Sequence, residues 1–599
     1  MFLFFYYYEI TMGHYISTIR IKNFKSCRDT FLEMSPYTPL VGYNNAGKSN
    51  ILSAIQWLIC KYNLDLTDFC DSQIPVEIEA EICGITSQLL NSLNQKHVAS
   101  LSDYIDQEKI YILRVQEKPK DTKSIKLKVW NFKENQYKDN PAGIDNAIKD
   151  IFPDPIRVGA MENAEEDAAK AKNTTTIGKL LNELIKPLTD TYESQLNVHI
   201  DKISSQISCN GENRFNELNQ LDSDINNKID GLFSGISVKL HFETPNLEEI
   251  LRKGTIQVYE EHNINRNMNA YGHGAQRSIQ IALIQQLAEI QRIKKEGKNT
   301  TLLLIDEPEL YLHPFAIEQI KEALKALSKN GYQVLFSTHS AQMIGVEDAQ
   351  NTLLIRKSKH DGTYSRQRLK DAIQNLVQDS THQEQHLFTL SHSSQILFAE
   401  AALIAEGKTE LRLLPKIINK LHGRSLGQEK IAFIPLGGVA NTKKTLAILK
   451  NMDIPSKAIV DLDFVFKDAI SQGYIEINHP DISAVQAILA NLAPIHKFFL
   501  DNNGFPKRGG TLSPSQAYEV LAKDSNAIPH IQSLHNLFKE KGIWVWTKGA
   551  IEPHLNISST QKDEATWAQI NTNIDNSGTS YLQTLDHQSL KGLSEWAVK

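Results

Sequence analysis

The segment Gly42-Tyr43-Asn44-Asn45-Ala46-Gly47-Lys48-Ser49 completes the pattern G-x-x-x-x-G-K-[ST], and that pattern works in one structural setting. Its backbone amides wrap a phosphate chain when a strand enters the loop and a helix leaves it, so the segment asks for an α/β core. The surroundings comply. Residues 15–24 alternate apolar and polar side chains (Tyr15, Ile16, Ile19, Ile21, Phe24) and read as a first strand, and a helix is expected from Asn50 to about Lys61. Gly42, Asn45 and Gly47 then belong to the phosphate cradle, Lys48 neutralises the β and γ oxygens of ATP, and Ser49 ligates Mg²⁺.

Three later segments suit the same nucleotide. The apolar strand 301–305 ends in Asp306 and Glu307; the aspartate is placed to hold the magnesium shell through Ser49 and water, the glutamate to orient an attacking water. A second apolar strand, 333–337, ends in Ser337-Thr338-His339-Ser340 and brings His339 toward a γ-phosphate. With a helix between them, the two strands argue for a buried parallel sheet. Upstream, Gly272-His273-Gly274-Ala275-Gln276-Arg277 opens a helix running from Ser278 to Ile290, and such glycines make a phosphate-facing nest. In this order the Walker A loop, G-x-G-x-Q-R, L-L-L-I-D-E-P-E and S-T-H-S resemble an ABC ATPase head of the SMC/RecF/Rad50 kind. The resemblance implies that Gly274 and Gln276 of one subunit reach ATP held by another, hence a homodimer or higher homo-oligomer. Glu307-Pro308-Glu309 followed by Leu312-His313-Pro314 is similar to the OLD-type branch of these ATPases; His313 itself reads as a helix-start residue without chemistry.

The second half carries a different chemistry. An apolar strand, 402–405, delivers Glu406, and Gly407 turns the chain into a helix bearing Glu410, four residues on and able to share a face with it. A strand at 431–435 and a Gly437-Gly438 turn follow. The strand 457–462 then ends in Asp461-Leu462-Asp463, where alternation would point both aspartates to one side. Four carboxylates at adjacent strand ends repel one another unless cations neutralise them, and oxygen ligands suit Mg²⁺ or Mn²⁺. Two such ions activate water and stabilise the leaving oxygen of a phosphodiester. The order of these elements resembles a TOPRIM domain. Near the C-terminus, Trp544-Val545-Trp546-Thr547-Lys548-Gly549-Ala550-Ile551-Glu552 resembles the element that completes OLD-type TOPRIM sites. That implies Lys548 as a catalytic cation for the phosphate or leaving group and Glu552 as a further metal ligand; an exposed Lys and Glu after a core strand is the plainer alternative.

Composition sets bounds. A chain of 599 residues needs several domain-sized units. We expect an ATPase N-terminal part at 12–162, a helical insertion at 163–235, an ATPase C-terminal part at 236–370, a linker at 371–396 and a TOPRIM domain at 397–599. The insertion shows Ile177, Leu180, Leu181, Leu184, Ile185 and Leu188 at helical spacing, which makes it either a dimerisation surface or an arm packed on its own domain. The formal net charge of −6 advertises no nucleic acid, so any DNA contact needs a local basic surface or bound metal. Five cysteines, none in C-x-x-C spacing, exclude a zinc ribbon and fit a reducing cytoplasm. No run is long and apolar enough for a bilayer. The aromatic start, Met1 to Ile10, lacks a basic leader, which makes Met12 the natural beginning and an extra edge strand the alternative.

An ABC head joined to TOPRIM in one chain is the arrangement of the OLD (overcoming lysogenisation defect) family. The resemblance implies an α/β protein that is an ATP-dependent, divalent-metal-dependent DNA endonuclease of phage defence, with a second defence-system component among its possible partners. Two rivals stay open: a RecF-like repair ATPase whose TOPRIM unit binds DNA without cutting, and a sensor ATPase working with a second protein or nucleic acid.

Overall fold

The computed structural model describes residues 13–93, 98, 101–139, 141, 143–152, 155–159, 176–230, 235–245, 247, 250, 257–259, 265–267, 270–293, 300–374, 393–436, 438–558 and 561–599. The Met1/Met12 question, Gly437, most of the expected linker and residues 163–175 lie outside these. The chain forms two compact units. One comprises the residues up to Leu40, Asn45–Met343 and Lys357–Tyr364; the other comprises Val41–Asn44, Ile344–Arg356 and Ser365–Lys599.

In the first unit an antiparallel run is ordered Gln136–Asp139, Ile125–Asn131, Lys109–Gln116, Val76–Cys83, Tyr15–Phe24, Cys27–Glu33. Val76–Cys83 alternates buried and half-buried residues along its length, as its Val-Glu-Ile-Glu sequence requires. A parallel group follows a different rule. Thr301–Asp306 lies between Tyr332–Thr338 and Ile156–Val158, and Leu302 to Ile305 are all fully buried because helices cover them. Leu303, Ile305, Val334 and Phe336 pack with Ile281 and Ile284 of helix His273–Ile293 and with Ile317, Ile320 and Leu324 of helix Pro314–Ser328. Helix Lys48–Ile59 packs on the same two strands. It starts two residues earlier than expected because Gly47, at φ 105°, supplies the left-handed turn into it. His313 is the N-cap of Pro314–Ser328, as its sequence context suggested. Where described, the expected insertion is helical, with helices Thr176–Ile207 and Asn216–Asp230.

The second unit is built on four parallel strands in the order Ile431–Pro435, Ala401–Ala405, Ser456–Val460, Ile543–Val545. Both faces are covered. Leu403 and Ile459 pack under helix Lys408–His422 and the C-terminal helices, through Leu413, Ile417, Trp567, Ile570 and Leu593. Ala402, Ile404, Ala458 and Val460 face the other layer, with Ile448, Leu449, Val485, Leu489, Leu534 and Phe538. Fully burying each such aliphatic side chain contributes about 1.5–3 kcal/mol. Ligands of parallel sheets collect beyond the carboxyl ends of the strands, and three of these ends deliver the residues of interest. No helix among the described residues is long and apolar enough to cross a membrane.

Candidate active sites

The nucleotide-site residues of the first unit meet where the parallel strands end. Asp306 is the last residue of its strand, directly beside Ser337. Its Oδ1 accepts hydrogen bonds from Ser49 Oγ at 2.9 Å and Ser337 Oγ at 3.0 Å, and its Oδ2 is paired with Arg157. Lys48, almost wholly buried, lies 2.8 Å from His339 Nε2, and the same nitrogen is 3.3 Å from Glu307 Oε1. Burial first, and the Lys48 ammonium second, hold the His339 imidazole below its usual range, so the ring is neutral and accepts from Lys48. Asp306, Glu307, Ser49, Lys48 and His339 are thus brought together as the sequence implied.

Glu307 adopts a left-handed backbone at φ 46°, uncommon for any residue but glycine. Its amide donates to Ser337 O at 3.0 Å and reaches Ser337 Oγ at 3.1 Å. Arg277, buried at the start of the glycine-led helix, donates to the carbonyls of Asp306, Glu307 and Pro308 at 3.0, 2.6 and 3.3 Å. That burial brings its guanidinium down to about 10. Glu309 Oε1 accepts from Thr338 Oγ1, His339 N and Ser340 N at 2.7, 2.8 and 3.2 Å, fixing the loop that carries His339. Glu309 stood in the L-L-L-I-D-E-P-E segment without an assigned role, and Arg157, on the short strand Ile156–Val158, had no motif to reveal its own.

Gln276 departs from its expected place. It is only 2% exposed and its Nε2 donates to Tyr271 O at 2.8 Å, so the side chain faces the interior of its own unit rather than outward. Gly274, half-buried, stays accessible at this helix start, beside the exposed Gly272 and Ala275.

In the second unit, Glu406 follows the strand Ala401–Ala405 and its amide donates to Ile459 O at 3.3 Å, while its Oε2 accepts from Asp461 N at 3.3 Å. Glu410 lies in the first turn of helix Lys408–His422, buried, accepting from Trp546 Nε1 at 3.0 Å. Its carboxylate curls over Gly407, where a Cβ would collide with Oε2. That explains a glycine after Glu406.

The Asp461-Leu462-Asp463 segment differs from expectation. The strand ends at Val460, Leu462 is already in a helical conformation, and Asp463 opens the short helix Asp463–Phe466. Alternation therefore does not set the two directions; a turn does. Both aspartates nonetheless enter the same field. Burial, then Asp463, pushes Glu406 up to about 7. Burial, with Glu552 adding repulsion, pushes Glu410 to about 7. Asp461 is raised well above the usual carboxylate range by burial, then by Glu410 and Glu406, and Asp463 is raised by burial too.

Glu552, fully buried, accepts from Thr409 Oγ1 at 2.6 Å through Oε1, while Oε2 has no hydrogen-bond partner. Lys548 is drawn elsewhere. Its ammonium pairs with Asp586 Oδ2 at 2.8 Å, an oxygen that His554 Nδ1 also meets at 2.8 Å. The cation that faces the carboxylates is Lys562, 3.3 Å from Glu552 Oε1. Burial opposes its charge, but Glu552 and Asp461 outweigh it and raise the ammonium. Lys562 lies beyond the Lys548–Glu552 motif, so sequence spacing had no means of finding it.

Among the described residues no three Asp, Glu, His or Cys side chains converge closely enough to enclose a metal ion. Glu410 is turned toward Trp546, and Glu552 toward Thr409 and Lys562. The donor set still suits a hard divalent cation: it is all oxygen, buried and mutually repelling, with one carboxylate oxygen of Glu552 unused.

Comparison with known proteins assigns a family to each half of the chain. A family described as "AAA ATPase domain" matches residues 15–344, and "Overcoming lysogenization defect protein-like, TOPRIM domain" matches residues 397–463. The Old nuclease of Escherichia phage P2 is 37% identical over 560 residues, covering 92% of this chain and 94% of the relative. Endonuclease GajA of Bacillus cereus is 23% identical over 68% of each chain, and the OLD nuclease of Thermus scotoductus 26% identical over 34% of this chain and 38% of its own. With a match to the phage protein over nearly its whole length, this chain belongs to the OLD nuclease family and is an ATPase and a TOPRIM nuclease in one polypeptide.

Proposed function

We propose that the chain cuts or nicks DNA by hydrolysis of phosphodiester bonds at the carboxylate cluster, with Mg²⁺ or Mn²⁺, under the control of ATP bound with Mg²⁺ at the first unit. The observation that carries this reading is the set of buried Glu410 and half-buried Glu406, Asp461 and Asp463 at the carboxyl ends of adjacent parallel strands, each raised in pKa. These residues and Glu552 would hold the divalent ions. When bound, such ions supply an activated water and neutralise charge on the phosphate. The protein's part is orientation: Thr409 fixes Glu552, Trp546 fixes Glu410, and the Asp461 amide fixes Glu406. Lys562 is the cation poised for developing negative charge, with Lys548 a positioning residue tied to Asp586.

At the ATPase site, Lys48 and Ser49 receive the phosphates and the magnesium, Glu307 orients the attacking water, and His339 senses the γ-phosphate. Gly42, Asn45 and Gly47 complete the cradle. Gly274 meets a partner's nucleotide in a homodimer or higher homo-oligomer. The exposed Tyr192, Leu196 and Ile203 on helix Thr176–Ile207 support self-association there, being apolar and a helical turn or two apart. We place the activity in anti-phage defence, on family analogy with the OLD nucleases.

The test is cleavage of supercoiled plasmid with Mg²⁺ or Mn²⁺, wild type beside Asp461→Ala/Asp463→Ala. Nicked or linear product from the wild type alone supports the reading. Product from both sinks the assignment of the site, and product from neither, with and without ATP, moves the chain to a DNA-binding ATPase. Glu307→Gln, which traps bound ATP, tests the coupling; unchanged cleavage across an ATP titration removes it.

A further inference from the structure

Residues 496–511 (His-Lys-Phe-Phe-Leu-Asp-Asn-Asn-Gly-Phe-Pro-Lys-Arg-Gly-Gly-Thr) form a small antiparallel hairpin of Phe499–Leu500 and Pro506–Lys507. Its inner side is well anchored. Phe498 and Phe505 are buried, Phe505 lies 5.6 Å from the ring of Phe466, and Phe466 stacks on Tyr518 at 5.5 Å. Phe466 ends the short helix that Asp463 begins, so the hairpin is braced against the helix that carries one carboxylate of the cluster.

The outer side is built quite differently. Lys497, Lys507 and Arg508 are exposed, and among the described residues none of them makes an ion pair. Some cations elsewhere in this unit are paired, among them Arg412 with Glu564, Lys416 with Asp575 and Arg424 with Glu429. The one carboxylate of the hairpin, Asp501, is engaged in its turn, where Oδ1 accepts from the amides of Asn503 and Phe505 at 2.9 and 3.0 Å. Phe499 stands directly across from Lys507, so both side chains leave the same face. It is 54% exposed, and Ile495 is 70% exposed.

Glycines bring the basic strand in close. A Cβ on Gly510 would meet Phe498 Cα at 2.8 Å, and Gly509, at φ 112°, lies under the Phe499 ring. The result is a shallow cavity of about 400 Å³ lined by Pro494, Lys497, Phe499, Gly509 and Thr511. Unpaired cations, one open aromatic face and glycine backbone are what a nucleic-acid strand uses: phosphates take the cations and amides, and a base or sugar takes the ring. An apolar protein partner has no use for three unpaired cations. In a chain of net charge −6, a basic element of this kind has to be local.

We propose that this hairpin is a DNA-contact element beside the nuclease site, with Lys497, Lys507 and Arg508 holding backbone phosphates and Phe499 lying against a sugar or base of the same strand. The inference rests on the nuclease reading and adds the place where substrate is gripped.

The experiment measures binding of a fluorescent 30-base-pair duplex by anisotropy, full-length protein in chelator, across a salt series. Lys507→Glu/Arg508→Glu should weaken binding by about 30-fold and lower the slope of log Kd against log salt by about 2. Phe499→Ala should weaken it about fivefold with the slope unchanged. Lys420→Glu/Lys591→Glu, an equal charge change outside the hairpin, should have little effect, and an unchanged circular-dichroism spectrum and unfolding midpoint report that each variant is folded. Where the charge reversal proves unstable, Lys507→Gln/Arg508→Gln serves in its place, with about half the slope change. Wild-type affinity and slope in the hairpin variants overturn the inference and leave the nuclease reading standing, as does an equal loss from the control pair. A wild type that neither binds nor cuts DNA overturns both.

Discussion

The two active sites hold their acidic residues in opposite ways. Asp306 is nearly buried yet balanced, with Ser49 and Ser337 on one oxygen and the Arg157 guanidinium on the other. Asp461, Asp463, Glu406 and Glu410 crowd one another, Glu410 buried and the others half-buried, and the amide of Asp461, the Trp546 indole and a partly exposed Lys562 offset little of the repulsion. The first arrangement is complete before nucleotide arrives. The second keeps unrelieved charge, which a divalent cation removes. A preorganised site lowers the cost of ordering around its ligand, whereas a repulsive one makes occupancy itself stabilising.

The strongest way to break this contrast is to neutralise aspartates in each site, a pair in one and a single residue in the other. Asp461→Asn/Asp463→Asn should lower plasmid cleavage by about a thousandfold or more, yet raise the unfolding midpoint measured in chelator, because two uncompensated charges leave the interior. A fall in midpoint would refute the repulsion argument even if cleavage is lost. Asp306→Asn should show the opposite sign. It should abolish ATP hydrolysis and also destabilise the first unit by about 3 kcal/mol, since Arg157 is left buried without its counter-charge. Paired thermal melts of the two variants read both signs in one experiment.

A pH series sharpens the same point with less disruption. Glu406 and Glu410 sit at about 7, above the ordinary 4.5. Between those values the folded chain holds protons that the unfolded chain has released. Stability contributed by these groups therefore falls as pH rises through that window. Denaturation in chelator should show this slope; saturating Mn²⁺ should flatten it. A slope that Mn²⁺ leaves unchanged would mean the titrating groups are not the ones that take the ion.

How legible all this was in the sequence differs between the sites for a physical reason. Motifs fix which residues end which strand, and the parallel cores make those ends meet, so Lys48, Ser49, Asp306 and His339 fell together, as did Glu406, Glu410 and Asp461. Directions of side chains beyond a strand end are set by tertiary partners, and no motif records them. Alternation holds only while the backbone stays extended, and it fails at Leu462. Lys548 had the right spacing to Glu552, but Asp586, far along the chain, takes its ammonium, while Lys562 is the ammonium that meets Glu552. Gln276 stood in a recognisable segment, but its burial depends on the Tyr271 carbonyl. Arg157 and Glu309 act on backbone and side-chain groups of other elements, so only the folded chain shows them.

Glu309 offers the finest test of preorganisation, because its removal leaves every nucleotide-site residue discussed above in place. Its Oε1 gathers Thr338 Oγ1, His339 N and Ser340 N, while Oε2 is buried with no hydrogen-bond partner. Glu309→Gln keeps an acceptor oxygen of the same shape. It loses the charge that strengthens three hydrogen bonds and puts an amide where nothing accepts from it, a change of about 1 kcal/mol. If the loop must be fixed in advance for His339 to meet the γ-phosphate, kcat for ATP hydrolysis should fall about fivefold with KM nearly unchanged. Glu309→Ala should lose more, and cleavage without ATP should be unaffected in both. A rise in KM at constant kcat would instead show that the loop is ordered by nucleotide on arrival, and the ATP site would then be less complete beforehand than its hydrogen bonds imply.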